Sequence, residues 1–140
     1  MYKRQAHKCG RTALQAAAGH GHYHTVKLLL ARGANADAPA SRCYGETALQ
    51  AAAMEGYLHI AEVLLDKRAS VNAHGSEKDG YTALEAAAKY GRIDMLKLLL
   101  NAGADITSDF GRSQLMRALD LATTEGHDAA AKFLKYHQIC

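Results

Sequence analysis

Three histidines, His20, His22 and His24, occupy alternate positions just before an apolar stretch of the chain. Imidazole nitrogens are common ligands of zinc and copper, so this spacing raises the hypothesis of a metal site. A metal site also needs further ligands, and no carboxylate lies near these histidines in the sequence. The pattern therefore favours a structural role for the histidines, and we expect neither a metal nor another cofactor.

Three glutamates, Glu46, Glu55 and Glu85, are candidates for acid–base chemistry on one face of the molecule. Paired carboxylates act in catalysis when burial or mutual repulsion separates their pKa values. An open groove gives little desolvation, which favours ordinary solvated carboxylates. The Gly19-His20-Gly21 segment is too short to hold a phosphate, and no serine or cysteine lies in a recognisable nucleophile context. We therefore expect no enzymatic activity.

These residues belong to a sequence that repeats itself. The segments Thr12-Ala13-Leu14-Gln15-Ala16-Ala17-Ala18 and Thr47-Ala48-Leu49-Gln50-Ala51-Ala52-Ala53 are identical, and Thr82-Ala83-Leu84-Glu85-Ala86-Ala87-Ala88 differs from them only at Glu85. The three threonines are 35 residues apart (47 − 12 and 82 − 47), and a further step of 35 reaches Arg117 and its Ala-Leu-Asp-Leu-Ala sequence. A fixed period of this length predicts an all-α stack of repeated units.

Each unit is predicted to contain two helices separated by a glycine. The threonine is placed to cap the first helix, because its hydroxyl can accept a hydrogen bond from an unpaired amide of the first turn. The second helix of the first and third units ends before Gly33 and Gly103, but Arg68 occupies this position in the second unit. If the backbone there is left-handed, we expect a strain of roughly 1 kcal/mol at Arg68.

The fourth unit departs from the pattern by placing polar residues at positions that are apolar in the third unit. Thr123 and Lys135 occupy positions that are apolar in the third unit, as expected of a terminal unit whose outer face meets water. Leu115 replaces the glycine before the first helix and Gly111 precedes it, which predicts a longer or displaced first helix. We expect a single domain over 1–140, with units at about 8–42, 43–77, 78–112 and 113–140, the last as a C-terminal cap.

The repeated residues resemble the ankyrin repeat over about 8–138. The clearest unit has Gly80-Tyr81-Thr82-Ala83-Leu84-Glu85-Ala86-Ala87-Ala88, then Gly91, Leu99-Leu100 and Gly103-Ala104-Asp105. Alanine replaces the proline of the family pattern, and Gln15, Gln50, Glu85 and Asp120 replace its histidine. Glutamine can bridge neighbouring loops, whereas a carboxylate can only accept hydrogen bonds. The 35-residue unit is longer than the usual 33 and is similar to arrays in large fungal multidomain proteins.

The resemblance implies a non-enzymatic module that binds another protein through its concave face and loop tips. Carrying the family's contact positions onto this chain selects ten residues: Arg11, His20, Tyr44, Glu46, Met54, Glu55, Tyr81, Lys89, Tyr90 and Met116. Tyrosine, methionine and arginine are favoured in the cores of protein interfaces. The alternative is a small-molecule site or a non-standard enzyme in the same groove, which would need a deep pocket with convergent polar groups.

The composition of the chain narrows the possible partners and the possible location of the protein. The net charge of +3 is too small to indicate nucleic-acid or membrane binding. The three cysteines form no CxxC pair, so free thiols in a cytoplasmic, intracellular setting are expected, although Cys9 and Cys43 could pair in an oxidising sample. No apolar run is long enough to span a bilayer, and the N-terminal residues lead into no hydrophobic signal region. The first unit has no polar cover, which leaves room for a homodimer or for a longer repeat array.

Overall fold

The computed structural model describes residues 11–41, 45–76 and 80–139. These residues form eight α-helices and no strand. In chain order the helices are α1 Ala13–Gly19, α2 Tyr23–Ala31, α3 Ala48–Glu55, α4 Leu58–Asp66, α5 Ala83–Lys89, α6 Ile93–Asn101, α7 Asp109–Thr124 and α8 Asp128–Ile139. Within the described ranges, no helix combines the length and the apolar character needed to cross a membrane.

The helices pack as antiparallel pairs that stack side by side. The first helices of the pairs, α1, α3, α5 and α7, contact one another in sequence and form one row. The second helices, α2, α4, α6 and α8, form a parallel row against them. Alanines of the first helices and leucines of the second helices make one continuous core between the rows. Small alanine side chains let the first helices approach closely, so the stack is a rigid support for the turns.

A threonine caps each of the first three units, as predicted. The Thr12, Thr47 and Thr82 hydroxyls accept hydrogen bonds from the backbone amides of the residues three positions later. Those residues are Gln15, Gln50 and Glu85, and their side chains accept in return from the threonine amides. Each start is therefore a capping box, which satisfies two otherwise unpaired amides.

The second helices of the first three units end in a left-handed residue. Gly33 has a φ of 91° and Gly103 a φ of 99°, and Arg68 adopts the same region with a φ of 69°. The condition under which we expect a strain of roughly 1 kcal/mol at Arg68 is therefore met. Arg68 is the only non-glycine residue with positive φ in the described part of the chain.

The fourth unit begins with a longer helix, as predicted. Helix α7 has 16 residues, against seven in α1 and α5, and Ser108 caps it by accepting from the Gly111 amide. Asp120, which follows Glu85 at the repeat distance, is exposed on this helix. The structure thus corrects the expected match of Asp120 with Gln15 and Gln50, because those side chains are buried against the next loop.

The two ends of the stack differ. At the N-terminal edge Ala13 is exposed, whereas the equivalent Ala48 and Ala83 are each 1% exposed. Leu28 on α2 is 54% exposed at the same edge. At the other end, Thr123 and Lys135 are exposed polar residues. Among these compared positions, the exposed apolar side chains therefore lie at the N-terminal edge.

Candidate partner-binding surface

Turns between the helices position the residues that the sequence selected. Each of the first three units contributes the residue just before its capping threonine and residues at the C-terminal end of its first helix. Because the first helices stack in one row, these positions come together along one side of the molecule. We call this the tip surface, and its residues are Arg11, His20, Glu46, Met54, Glu55, Tyr81, Lys89, Tyr90 and Glu125.

The first cleft of the tip surface lies between the first two units. It has a volume of about 380 Å³ and is lined by Arg11, Gly19, His20, Glu46, Ala51, Met54, Glu55 and Tyr57. Five of the ten predicted residues therefore meet at one place. Arg11 Nη2 donates to Glu46 Oε1, so a salt bridge joins the two units across the cleft.

Glu46 is a largely enclosed carboxylate of this cleft, with 17% of its side chain exposed. Burial raises the pKa of its carboxyl above the usual value, the Arg11 guanidinium opposes the rise, and the Glu55 carboxylate adds to it. Glu46 and Glu55 are thus close enough to interact as like charges. The cleft contains two carboxylates and one guanidinium.

A smaller second cleft of about 110 Å³ continues the surface between the second and third units. Glu46 and Met54 line it on one side and Tyr81 on the other. Glu46 and Met54 thus belong to both clefts and connect them. This continuity makes the tip surface one patch instead of separate spots.

Lys89 organises the third part of the tip surface. Its Nζ lies 5.7 Å from the ring centroids of both Tyr81 and Tyr90 and donates to Glu125 Oε1 at 3.0 Å. The hydrogen bond to Glu125 raises the pKa of the Lys89 ammonium above its usual value. Tyr90 remains 41% exposed beside this cluster. The Lys89 ammonium thus lies within the range of cation–π attraction of two tyrosine rings while it pairs with a carboxylate.

Of the ten predicted residues, Met116 does not join this patch in the structure. Tyr44 lies outside the described residues. Met116 is 54% exposed and lines a separate cleft of about 360 Å³ with Leu115, Arg112 and His137. Its sulfur accepts a hydrogen bond from Gln138 at 3.1 Å. The displaced start of α7 explains this position, because Met116 lies within that helix and not in a turn.

Tyr57 belongs to the first cleft but was not selected from the sequence. A Cβ placed on Gly21 would lie 2.8 Å from Tyr57 Cζ, so the ring rests directly on that glycine. The same arrangement recurs where Arg92 lies on Gly56 and where His127 lies on Gly91. The sequence contains a signal for this contact. A bulky residue directly follows each turn glycine, and it lies 36 positions after the turn glycine of the preceding unit.

Of the three alternate histidines, His20 and His22 lie between α1 and α2, and His24 lies in the first turn of α2. The His20 and His22 rings are 6.0 Å apart, and His24 contacts Tyr23. Over residues 11–41, 45–76 and 80–139, no three His, Cys, Asp or Glu side chains are grouped so that they could hold a metal ion.

Comparison with known families shows where this architecture belongs. Residues 2–75 match the family model described as ankyrin repeats (3 copies), and residues 64–117 match a second model described as ankyrin repeats (many copies). The chain belongs to the ankyrin repeat family. No curated protein matches it.

The predicted family and the all-α ankyrin solenoid are thus confirmed. Ankyrin repeats are in general protein-interaction modules, and this family is typically non-enzymatic. The clefts described above give this ankyrin repeat chain an exposed set of tyrosine, methionine and paired charged side chains on a rigid support.

Proposed function

We propose that the protein is a non-enzymatic module that binds another protein through the tip surface. The observation that carries this proposal is the continuity of the patch, in which Glu46, Met54 and Tyr81 connect the first cleft to the Lys89 cluster. Aromatic and methionine side chains held on a rigid support lose little conformational freedom on binding, which favours affinity. We further propose an intracellular location, since three cysteines without a CxxC pair suit a reducing compartment.

The shape of the surface favours a protein ligand over the small-molecule alternative. The clefts along the tip surface have volumes of about 380 and 110 Å³, the first near the low end of the range for small-molecule pockets and the second below it. They are joined along a row of turns, which suits an extended or flat partner surface.

Capture of partners from host lysate tests the proposal. The variant is Tyr81→Ser/Tyr90→Ser, and the matched control is Tyr136→Ser, which removes a tyrosine that is 68% exposed on α8. We expect the wild type and the control to capture the same protein, and the double variant to bind it at least about tenfold more weakly. Circular dichroism must show equal helix content in all three.

Two results would contradict this proposal. One is equal capture by the double variant and the wild type, which would place the contact elsewhere. The other is no specific capture together with a metabolite that raises the melting temperature, which would support the small-molecule alternative.

A second contact is proposed at the N-terminal edge, where a further copy of the chain or an adjoining unit of a longer array would stack. The observation is that Ala13 and Leu28 are exposed, although the equivalent Ala48 and Ala83 are buried and the equivalent Val63 is partly buried. Light scattering of the purified chain checks the first case. A dimer that Leu28→Lys converts to a monomer would support stacking of copies, and a monomer at high concentration would exclude it.

A further inference from the structure

The first cleft and the Lys89 cluster occupy equivalent places in the stack. The repeat distance relates Glu55 to Glu125 (125 − 55 = 70, two units) and Gly19 to Lys89 (89 − 19 = 70). Each carboxylate lies at the end of a first helix and faces the end of the preceding first helix. The two sites differ at three positions, because Gly19, Arg11 and His20 stand where the later site has Lys89, Tyr81 and Tyr90.

At the later site the chain supplies its own cation. Lys89 donates to Glu125 at 3.0 Å, and its Nζ is within 5.7 Å of the ring centroids of Tyr81 and Tyr90. At the earlier site Gly19 has no side chain to offer. Among the described residues Glu55 forms no salt bridge. Beside Gly19 the chain's own cation is Arg11, whose Nη1 would lie 3.4 Å from a Cβ on Gly19 and whose Nη2 is paired with Glu46, so this cation serves Glu46 and not Glu55.

The charge and the lining residues of the first cleft define which chemical group would bind there. Arg11 is already bound to Glu46, so the first cleft has one carboxylate more than it has guanidinium or ammonium groups. Met54 and Tyr57 form an apolar part of the lining. An apolar stem that ends in a cation matches both features, since the stem can pack on Met54 and the cation can interact with the ring and the carboxylate.

We propose that the first cleft receives a lysine or arginine side chain of the partner protein, whose cation pairs with Glu55. This inference rests on the proposed function and names the chemistry of one contact within it. A basic side chain in this position reproduces, between two molecules, the contact that Lys89 and Glu125 make within the chain.

Selection from a random displayed-peptide library tests the inference and does not require the partner to be identified. Four baits are compared: the wild type, Glu55→Gln, Gly19→Lys and the control Glu62→Gln. Glu62 is a half-exposed carboxylate on α4, so this control removes the same charge outside the cleft. In Gly19→Lys the chain carries its own cation at the position of Lys89. A Cβ on Gly19 would lie 3.4 Å from Arg11 Nη1 and 3.5 Å from Ala51 Cβ, which is ordinary contact, so the added lysine stands beside the Arg11 guanidinium.

We expect peptides selected on the wild type and on Glu62→Gln to share a lysine or arginine at one position. On Glu55→Gln and Gly19→Lys this preference should be lost. A selected basic peptide should bind both of these variants about fivefold more weakly, as expected for a partly exposed charge pair. The difference from wild type should shrink as salt is added.

The remaining outcomes separate the two proposals. Peptides that need Tyr81 and Tyr90 but show no basic preference, or keep it on Glu55→Gln, would overturn the inference and leave the proposed function standing. A library that gives no peptide dependent on the tip surface would overturn both.

Discussion

The junctions between consecutive units are built in two ways. At the first two junctions a buried glutamine donates to the following loop: Gln15 Nε2 to the carbonyls of Ala38 and Pro39, and Gln50 Nε2 to those of Ala73 and His74. At the third junction a carboxylate, Glu85, occupies the same buried position. Its Oε1 accepts from Arg117 Nη2 at 3.1 Å, and its Oε2 forms a salt bridge with Arg117 Nε at 3.1 Å. We call these the donor junctions and the acceptor junction.

The comparison shows that a carboxylate in place of an amide goes with a different structure in the segment that follows the junction. A carboxylate cannot donate, so the backbone carbonyls of the next loop cannot be its partners. In the fourth unit that segment is instead the start of α7, where the Ser108 carbonyl accepts from the Arg112 amide at 2.8 Å. The helix then carries Arg117 to Glu85. The acceptor junction thus couples a buried charge to a longer helix.

Converting a donor junction to a carboxylate without its arginine gives the largest expected effect. In Gln50→Glu the carboxylate would face the Ala73 and His74 carbonyls, each now 3.0 Å from the amide nitrogen. We expect a loss of about 3–4 kcal/mol in the free energy of unfolding, since two hydrogen bonds are replaced by a buried, unpaired charge. Urea unfolding followed by circular dichroism measures it.

The reverse exchange, Glu85→Gln, is the matched control for Gln50→Glu. The glutamine keeps the capping-box acceptor for the Thr82 amide, and Arg117, whose side chain is 64% exposed, returns to water. Its cost should be no more than about 1 kcal/mol. Equal costs for the two exchanges would show that the direction of hydrogen bonding does not distinguish the junctions.

Removing the cation of the acceptor junction is expected to have the next largest effect. In Arg117→Met the Glu85 carboxylate, 1% exposed, loses its only ion-pair partner among the described residues. We expect a loss of about 2–3 kcal/mol, because a buried charge without a partner is costly. The double variant Glu85→Gln/Arg117→Met should recover at least about 1 kcal/mol of this loss in a double-mutant cycle. Strict additivity of the two single changes would contradict the coupling.

The longer helix of the acceptor junction has its own sensitive point at Gly111. A Cβ there would lie 2.4 Å from Asp105 Oδ1 and 2.7 Å from the Asp105 carbonyl carbon. Glycine to alanine normally stabilises a helix interior, but overpacking against backbone typically costs about 1–3 kcal/mol. We therefore expect Gly111→Ala to lower the urea midpoint. Ser113→Ala, at an exposed position of the same helix, should leave it unchanged or raise it slightly.

The donor junctions could be predicted from the sequence, whereas the acceptor junction could be predicted only in part. The repeat period aligned Gln15 with Gln50, and an amide can both donate and accept, so bridging of neighbouring loops followed from residue type. Leu115 and Gly111 correctly predicted an altered helix. The Arg117–Glu85 pair did not follow, because Arg117 aligns with the capping threonines and its role depends on where α7 begins.

The tip surface, too, could be predicted from the sequence only in part. Glu125 could be placed near it from the repeat period, because the period fixes which positions end the first helices. Its ion pair with Lys89 depends on how two side chains from different units extend towards each other. The period carries no information on that, so the pairing emerges only from the three-dimensional structure.

Asp105, at the start of the acceptor junction, gives the smallest expected effect and one that depends on pH. Its carboxylate accepts from the Ser108 hydroxyl and from the amides of Ser108 and Thr107, and the Ser108 hydrogen bond is the largest cause that lowers the pKa of the Asp105 carboxyl. The folded-state pKa is below the unfolded value. The stabilisation is therefore present above the unfolded pKa and is lost as pH falls through the folded pKa.

Comparison of the wild type with Asp105→Asn between pH 7 and pH 2 isolates this contribution. Asparagine keeps the size and one acceptor but carries no charge, so we expect it to be less stable at neutral pH. The gap should narrow as the wild-type carboxylate becomes protonated. The control Asp37→Asn removes a carboxylate at a donor junction, where it accepts from the Ser70 amide. A gap for Asp105→Asn that stays constant or widens on acidification would show that the carboxylate does not support the start of α7.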